Sequence, residues 1–147
     1  MALGLYLLWL WQPERQVRLH TSHFLKKVER RNWAAAGKMM ADDYRDRWQH
    51  DRASALAEAR EVFQQFLFLT IDNRTDTCDL APDSATTRTF IKIRGNGGPL
   101  AQIVMERVNL LREPFVLGWR HASWKPWDWK LTGVDQPELK TERTPGL

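Results

Sequence analysis

Helix-like segments come first in this chain and strand-like segments last, and that order constrains the fold more than any other feature. From about Val17 to Arg31, apolar side chains at 17, 24, 25 and 28 keep helical spacing, with basic residues on the outer face. Asn32 suits an N-cap for a second helix with an inward stripe of Trp33, Ala36, Met40 and Ala41. Tyr44 to Trp48 reads as a short strand or an irregular arm. Asp51 then caps a third helix, to about Gln65, with Leu56, Ala59, Val62, Phe63 and Phe66 facing inward. From Phe66 the period changes to two. Leu67, Leu69 and Ile71 share a strand face, and after a turn at Pro82-Asp83 so do Ala85, Thr87, Thr89, Ile91 and Ile93. Gly95-Asn96-Gly97-Gly98 signals a hairpin. Residues 100–111 then alternate as a long strand, with Glu106 on the face of Val104 and Val108. Phe115, Leu117, Trp119 and His121 line the next strand. The last carries Trp127, Trp129 and Leu131 on one face and Lys130, Thr132 and Val134 on the other. Helices followed by strands describe an α+β domain, with the helices on one face of an antiparallel sheet.

The 147 residues suit a single domain, and 43% apolar with 27% charged residues fits a folded globular chain rather than a disordered one. Eight tryptophans supply large rings for a core, a ligand pocket or an interface. Cys78 is the only cysteine, which excludes an intramolecular disulfide and a cysteine-based zinc site. Residues 12–38 hold Arg15, Arg18, Lys26, Lys27, Arg30, Arg31 and Lys38 against Glu14 and Glu29, so the basic excess is concentrated near the amino end.

Residues 2–11 are uncharged and almost wholly apolar. A spanning helix needs about 20 such residues, so the segment alone is too short, and it lacks the flanks of a secretory signal. It reads as an anchor-like segment: Tyr6, Trp9 and Trp11 suit a membrane interface, and Arg15 and Arg18 follow at once. Lys26/Arg30 and Lys27/Arg31 are i,i+4 pairs that make one helix face basic. The expectation is therefore association with a membrane surface through residues 2–31, on either side of the membrane, with a cytoplasmic domain as the alternative. Residues 1–16 form the anchor-like segment and linker, 17–136 the domain, and 137–147 a polar, frayed tail.

Across residues 18–136 the order helix, helix, short arm, helix and a strand meander ending in a tryptophan-rich strand resembles the nuclear-transport-factor-2-like superfamily, also called cystatin-like cone folds. The matching pieces are Asn32-Trp33, Ala41-Asp42-Asp43-Tyr44-Arg45-Asp46 and Trp127-Asp128-Trp129-Lys130-Leu131. The chain looks most like small bacterial members of unassigned function. The resemblance implies three amino-terminal helices packed on a curved antiparallel sheet, forming a cone with a cavity. It also implies a possible homodimer, and either an isomerase, cyclase or dehydratase or a non-catalytic binding or scaffold domain. Fold does not choose among these.

A cavity enzyme needs a titratable group against an apolar interior, where burial raises a carboxylate's pKa. The catalytic candidates are Glu106, Asp46 and His121. Tyr44 and Asp46, two apart on an extended arm, project to one side, where a phenol beside a carboxylate can bind or polarise a carbonyl. Trp48, Trp119 and Trp129 complete the candidate ligand-binding set with Tyr44, Asp46, Glu106 and His121. Each has a structural alternative: Glu106 as a hydrogen-bonded structural carboxylate, Tyr44 and Asp46 on a surface arm tied to Arg45 or Arg47, and His121 as a satisfied core histidine. His20, His23 and His50 lack metal spacing, and no cofactor motif is legible. Trp124, Trp127 and Trp129 with Lys125 and Lys130 could stack bases, but the surrounding region has too little basic excess to hold nucleic acid. The reading that results is a non-enzymatic domain for a small apolar ligand or a protein partner, with the cavity enzyme as the alternative.

Overall fold

The computed structural model describes residues 2–5 and 12–139. Most of the apolar segment and the tail from residue 140 lie outside the described residues. Residues 2–5 are helical. Helices α1 (Pro13–Glu29), α2 (Trp33–Lys38) and α3 (Arg52–Phe63) precede strands β1 (Phe66–Leu80) and β2 (Ser84–Gly97). Helix α4 (Pro99–Asn109) follows, then β3 (Phe115–His121) and β4 (Trp129–Asp135). The four strands pair antiparallel in the order β1-β2-β3-β4. The α+β class therefore stands, but the expected set of three helices does not: residues 2–5 are helical ahead of them, and α4 interrupts the strands.

The local sequence explains the helix starts. Pro13 does not break the chain; it opens α1, because its fixed φ suits a first turn whose N–H groups need no intrahelical partner. Asn32 caps α2 by accepting from the Ala35 N–H at 3.2 Å. Asp51 and Ser54 form a reciprocal capping box on α3.

The main correction concerns residues 100–111, which form a helix rather than a strand. Pro99 occupies the first turn behind Gly98, so the glycine run ends a strand and starts a helix instead of turning a hairpin. The apolar run satisfies both periods, and Ala101, Val104, Met105 and Val108 form a helical stripe packed on Phe63, Phe66, Leu69 and Ile93. Tertiary need decides the outcome. β3 pairs only with residues 84–89 of β2, which leaves the edge of β2 beyond them open. The Asn109 amide fills that edge: its Oδ1 accepts from the Ile93 N–H at 2.8 Å and its Nδ2 donates to the Ile93 carbonyl at 2.9 Å.

Two register shifts re-aim side chains. A shift between Phe66 and Phe68 turns Phe66, Leu69 and Ile71 inward and leaves Leu67 exposed. Another beside Trp119 brings Val134 onto the inner side with Leu131, against the expected alternation. Residues 39–47 run along β4 as an irregular arm. Leu131 donates to the Met39 carbonyl, and Ala41, Arg45 and Arg47 donate to the carbonyls of Leu131, Thr132 and Val134. Gly133 permits this approach, because a Cβ there would stand 2.7 Å from the Arg45 carbonyl oxygen.

The core lies between the helices and the inner sheet face, where Val17, Phe24, Leu25, Ala36, Met40, Tyr44, Leu117, Trp119, Trp129 and Leu131 pack together. Burial of each large side chain contributes roughly 1.5–3 kcal/mol before entropy is counted. The outer sheet face is a lattice of ion pairs: Arg94–Asp72 at 2.8 Å, Arg88–Asp79 at 2.7 Å, Arg120–Asp43 at 2.8 Å and Arg47–Asp135 at 3.3 Å. The guanidiniums hold the Asp43 and Asp72 carboxyls below the usual carboxylate range. The start of the polar tail is tied down, since Trp48 Nε1 donates to the Leu139 carbonyl and Glu138 accepts from the Arg112 and Glu113 N–H groups.

Candidate functional site

The arm over β4 carries the best-defined polar cluster of the interior. Tyr44 donates from its hydroxyl to Asp46 Oδ2 at 3.1 Å, as expected of side chains two apart on an extended segment. Both are buried, Tyr44 at 3% exposed and Asp46 at 7%. Asp46 Oδ1 accepts from the N–H groups of Trp48 and His50, each at 3.0 Å, and the Asp46 N–H donates to the His50 carbonyl. The carboxylate thus clamps a tight loop in which Gln49 takes a left-handed φ of 67°. It is not tied to either neighbouring arginine: Arg47 pairs with Asp135 and Arg45 donates to the Gln49 carbonyl. Burial and the nearby Asp46 charge hold the Tyr44 proton far above its ordinary range, so the phenol is a fixed hydrogen-bond donor. Asp46 and Gln49 of this loop, with Arg47, Gly118, Gly133 and Asp135, line an open concavity of about 570 Å³ on the outer sheet face.

Trp119 and Trp129 belong to the same core cluster as Tyr44. Trp119 is 1% exposed, its indole N–H buried without a hydrogen-bond partner. His121 stacks on Trp129 with centroids 4.7 Å apart, and its Nε2 lies 2.6 Å from the Lys125 carbonyl oxygen. Trp129 Nε1 donates to the Pro126 carbonyl at 3.1 Å. Trp48 is half-buried. Glu106 is not brought to this group. It is exposed on α4, beside an open concavity of about 380 Å³ with Gln102, Met105, Asn109 and Leu110. The strand face it was expected to share with Val104 and Val108 does not exist, because on a helix residue 106 points away from both.

The sequence reading missed His20 as an interior group. Its ring meets Trp119 edge-on at 5.9 Å, and Nδ1 lies 2.8 Å from the Gln16 carbonyl oxygen. The signal was present: positions 17, 20, 21 and 24 form one helical stripe, which also buries Thr21. Burial pushes the His20 imidazole below its ordinary value, with the Gln16 and Trp127 backbone groups opposing the shift. Among the described residues no three His, Cys, Asp or Glu side chains gather to hold a metal, and no helix is long and apolar enough to cross a membrane.

No family model matches the chain, and no curated protein matches it in sequence. Solved structures do match its fold. A conserved protein from Planctomyces limnophilus aligns with TM-score 0.62 at 16% identity, over 82% of this chain and 91% of that one. An NTF2-like protein of unknown function from Pseudomonas putida aligns with TM-score 0.59 at 13% identity, over 82% of each chain. A ketosteroid isomerase-like protein from Erwinia carotovora atroseptica gives 0.59 at 10% identity, over 84% and 93%. The chain has the nuclear-transport-factor-2-like fold, and at these identities the likeness extends to the fold alone.

Proposed function

We propose that this domain acts without catalysis, as a binding module for a protein partner, held at a membrane by its apolar amino-terminal segment. The observation that carries the reading is the occupied interior. Phe24, Met40, Tyr44, Leu117, Trp119, Trp129 and Leu131 pack together between helices and sheet, where a cavity enzyme would bind its substrate. Asp46, the one carboxylate among the buried described residues, already accepts from Tyr44, Trp48 and His50 and is committed to holding the loop. A small apolar ligand would have to displace core side chains. The cavity-enzyme alternative draws its support from the Tyr44–Asp46 pair and from the fold shared with a ketosteroid isomerase-like protein.

Native mass spectrometry of the full chain, purified from its source cells in mild detergent, tests the reading. The expected species is the bare chain or the chain with a protein bound. A small molecule that survives purification and is lost on denaturation would overturn the filled interior and restore the enzyme reading.

A further inference from the structure

We propose that the β3–β4 loop, residues 122–128, makes a second contact with the lipid surface, through Trp124 and Trp127 at the end of the sheet where helix α1 begins. The inference rests on the membrane-held reading above. Helix α1 fixes the end of the sheet at which Gln12 lies. Near its start, Arg18 Nη1 donates to the Thr75 carbonyl at 3.0 Å. Near its end, Glu29 accepts from the Ile71 N–H at 2.7 Å, and just beyond it Arg31 donates to the Phe66 carbonyl at 2.9 Å. The helix therefore runs antiparallel to β1, and its first residues lie at the Leu80 end of the sheet.

The β3–β4 loop lies at that same end. The His121 N–H donates to the Asp83 carbonyl at 2.9 Å, which joins the loop to the β1–β2 turn, and Ala122 donates to the Asp128 carbonyl at 2.7 Å to close it. Trp124 is 82% exposed, Trp127 49% and Leu80 47%. Exposed indoles are the side chains that settle at a membrane–water interface. The loop is held from beneath by His121 on the Lys125 carbonyl, Trp129 on the Pro126 carbonyl and His20 against the Trp127 backbone. Such a pre-ordered loop loses little conformational freedom on contact.

At this end Arg18 pairs with Glu14 at 3.0 Å and Arg88 with Asp79 at 2.7 Å. The basic cluster Lys26, Lys27, Arg30 and Arg31 sits at the opposite end of α1, roughly 20 Å further along at 1.5 Å per residue. That separation exceeds the Debye length of about 8 Å at physiological salt. Lys26 is also paired with Glu29, and Arg31 with the Phe66 carbonyl. The contact is thus insertion of indoles into the interface and depends little on anionic lipid.

Flotation of the full chain with phosphatidylcholine vesicles, with and without added phosphatidylserine, tests this. The wild-type chain is expected to float with both. Trp124→Ala should weaken partitioning about tenfold, the effect of withdrawing roughly 60 Å² of buried apolar surface. Trp127→Ala should act in the same direction, and Lys26→Glu/Arg30→Glu should change nothing. Brominated acyl chains should quench wild-type tryptophan fluorescence more than that of Trp124→Ala, a comparison made on vesicle-bound protein. Unchanged partitioning and quenching in the loop variants would overturn the loop contact while leaving the tether intact. Dependence on phosphatidylserine, lost in the Lys26/Arg30 variant, would overturn it in favour of the basic cluster. A wild-type chain that floats with neither vesicle removes the membrane-held reading itself.

Discussion

At the scale of single residues, two interior side chains illustrate opposite fates for polar groups. Asp46 is buried with both oxygens occupied, and Tyr44 is its donor, so this pair stabilises a loop through satisfied hydrogen bonds. The spacing of two made their juxtaposition legible in sequence, but their burial was not, because it follows from the arm lying along β4. His20 is half-buried with its pKa lowered, which couples stability to pH. Above about pH 6.5, His20 is neutral in both folded and unfolded chains and contributes no pH dependence. Below that, the unfolded chain takes a proton that the folded chain resists, so stability falls as pH falls toward the folded pKa. His23 and Lys130 add like charge in the same direction. Thermal melts between about pH 7 and pH 5 should show a falling midpoint, and His20→Asn should flatten that fall. The depressed Asp43, Asp51 and Asp72 carboxyls titrate at lower pH and leave this window clear.

At the scale of elements, α4 is where sequence and structure part. An apolar run such as 100–111 fits both periods, and Pro99 in the first turn together with the Asn109 amide on the open edge of β2 goes with the helix. Asn109→Leu should therefore destabilise the fold by about 2 kcal/mol, since it leaves a backbone N–H and carbonyl without partners. The urea midpoint measures that loss, and amide exchange at Ile93 should accelerate selectively. An unchanged midpoint would show that α4 packing alone protects the edge. The cap residues Asn32 and Asp51 were readable because capping depends on side chains within one turn of each other.

At the scale of the whole molecule, burial is uneven. α3 buries only Phe63 and α4 only Ala101, whereas Leu117, Trp119, Leu131, Thr87 and Thr89 sit fully inside. Hydrogen exchange should therefore find α3 and α4 opening first and the central strands last; uniform protection would contradict that order. The outer sheet face carries the ion pairs, and exposed apolar side chains include Leu80, Trp124 and Trp127 at one end, Leu67, Phe68, Leu100 and Ile103 toward the other, and Leu110 after α4. The α+β class, the inward faces of α1 and β2, the capped starts of α2 and α3, and the shared side of Tyr44 and Asp46 were legible in the sequence. All of these are set by side-chain period or by contacts within a few residues. That 100–111 form a helix, that Glu106 faces outward and that the β3–β4 loop meets the β1–β2 turn emerged from the folded arrangement. Each depends on which strand edge is left open, where a register shifts and how segments far apart in the chain meet, and none of that is written in local spacing.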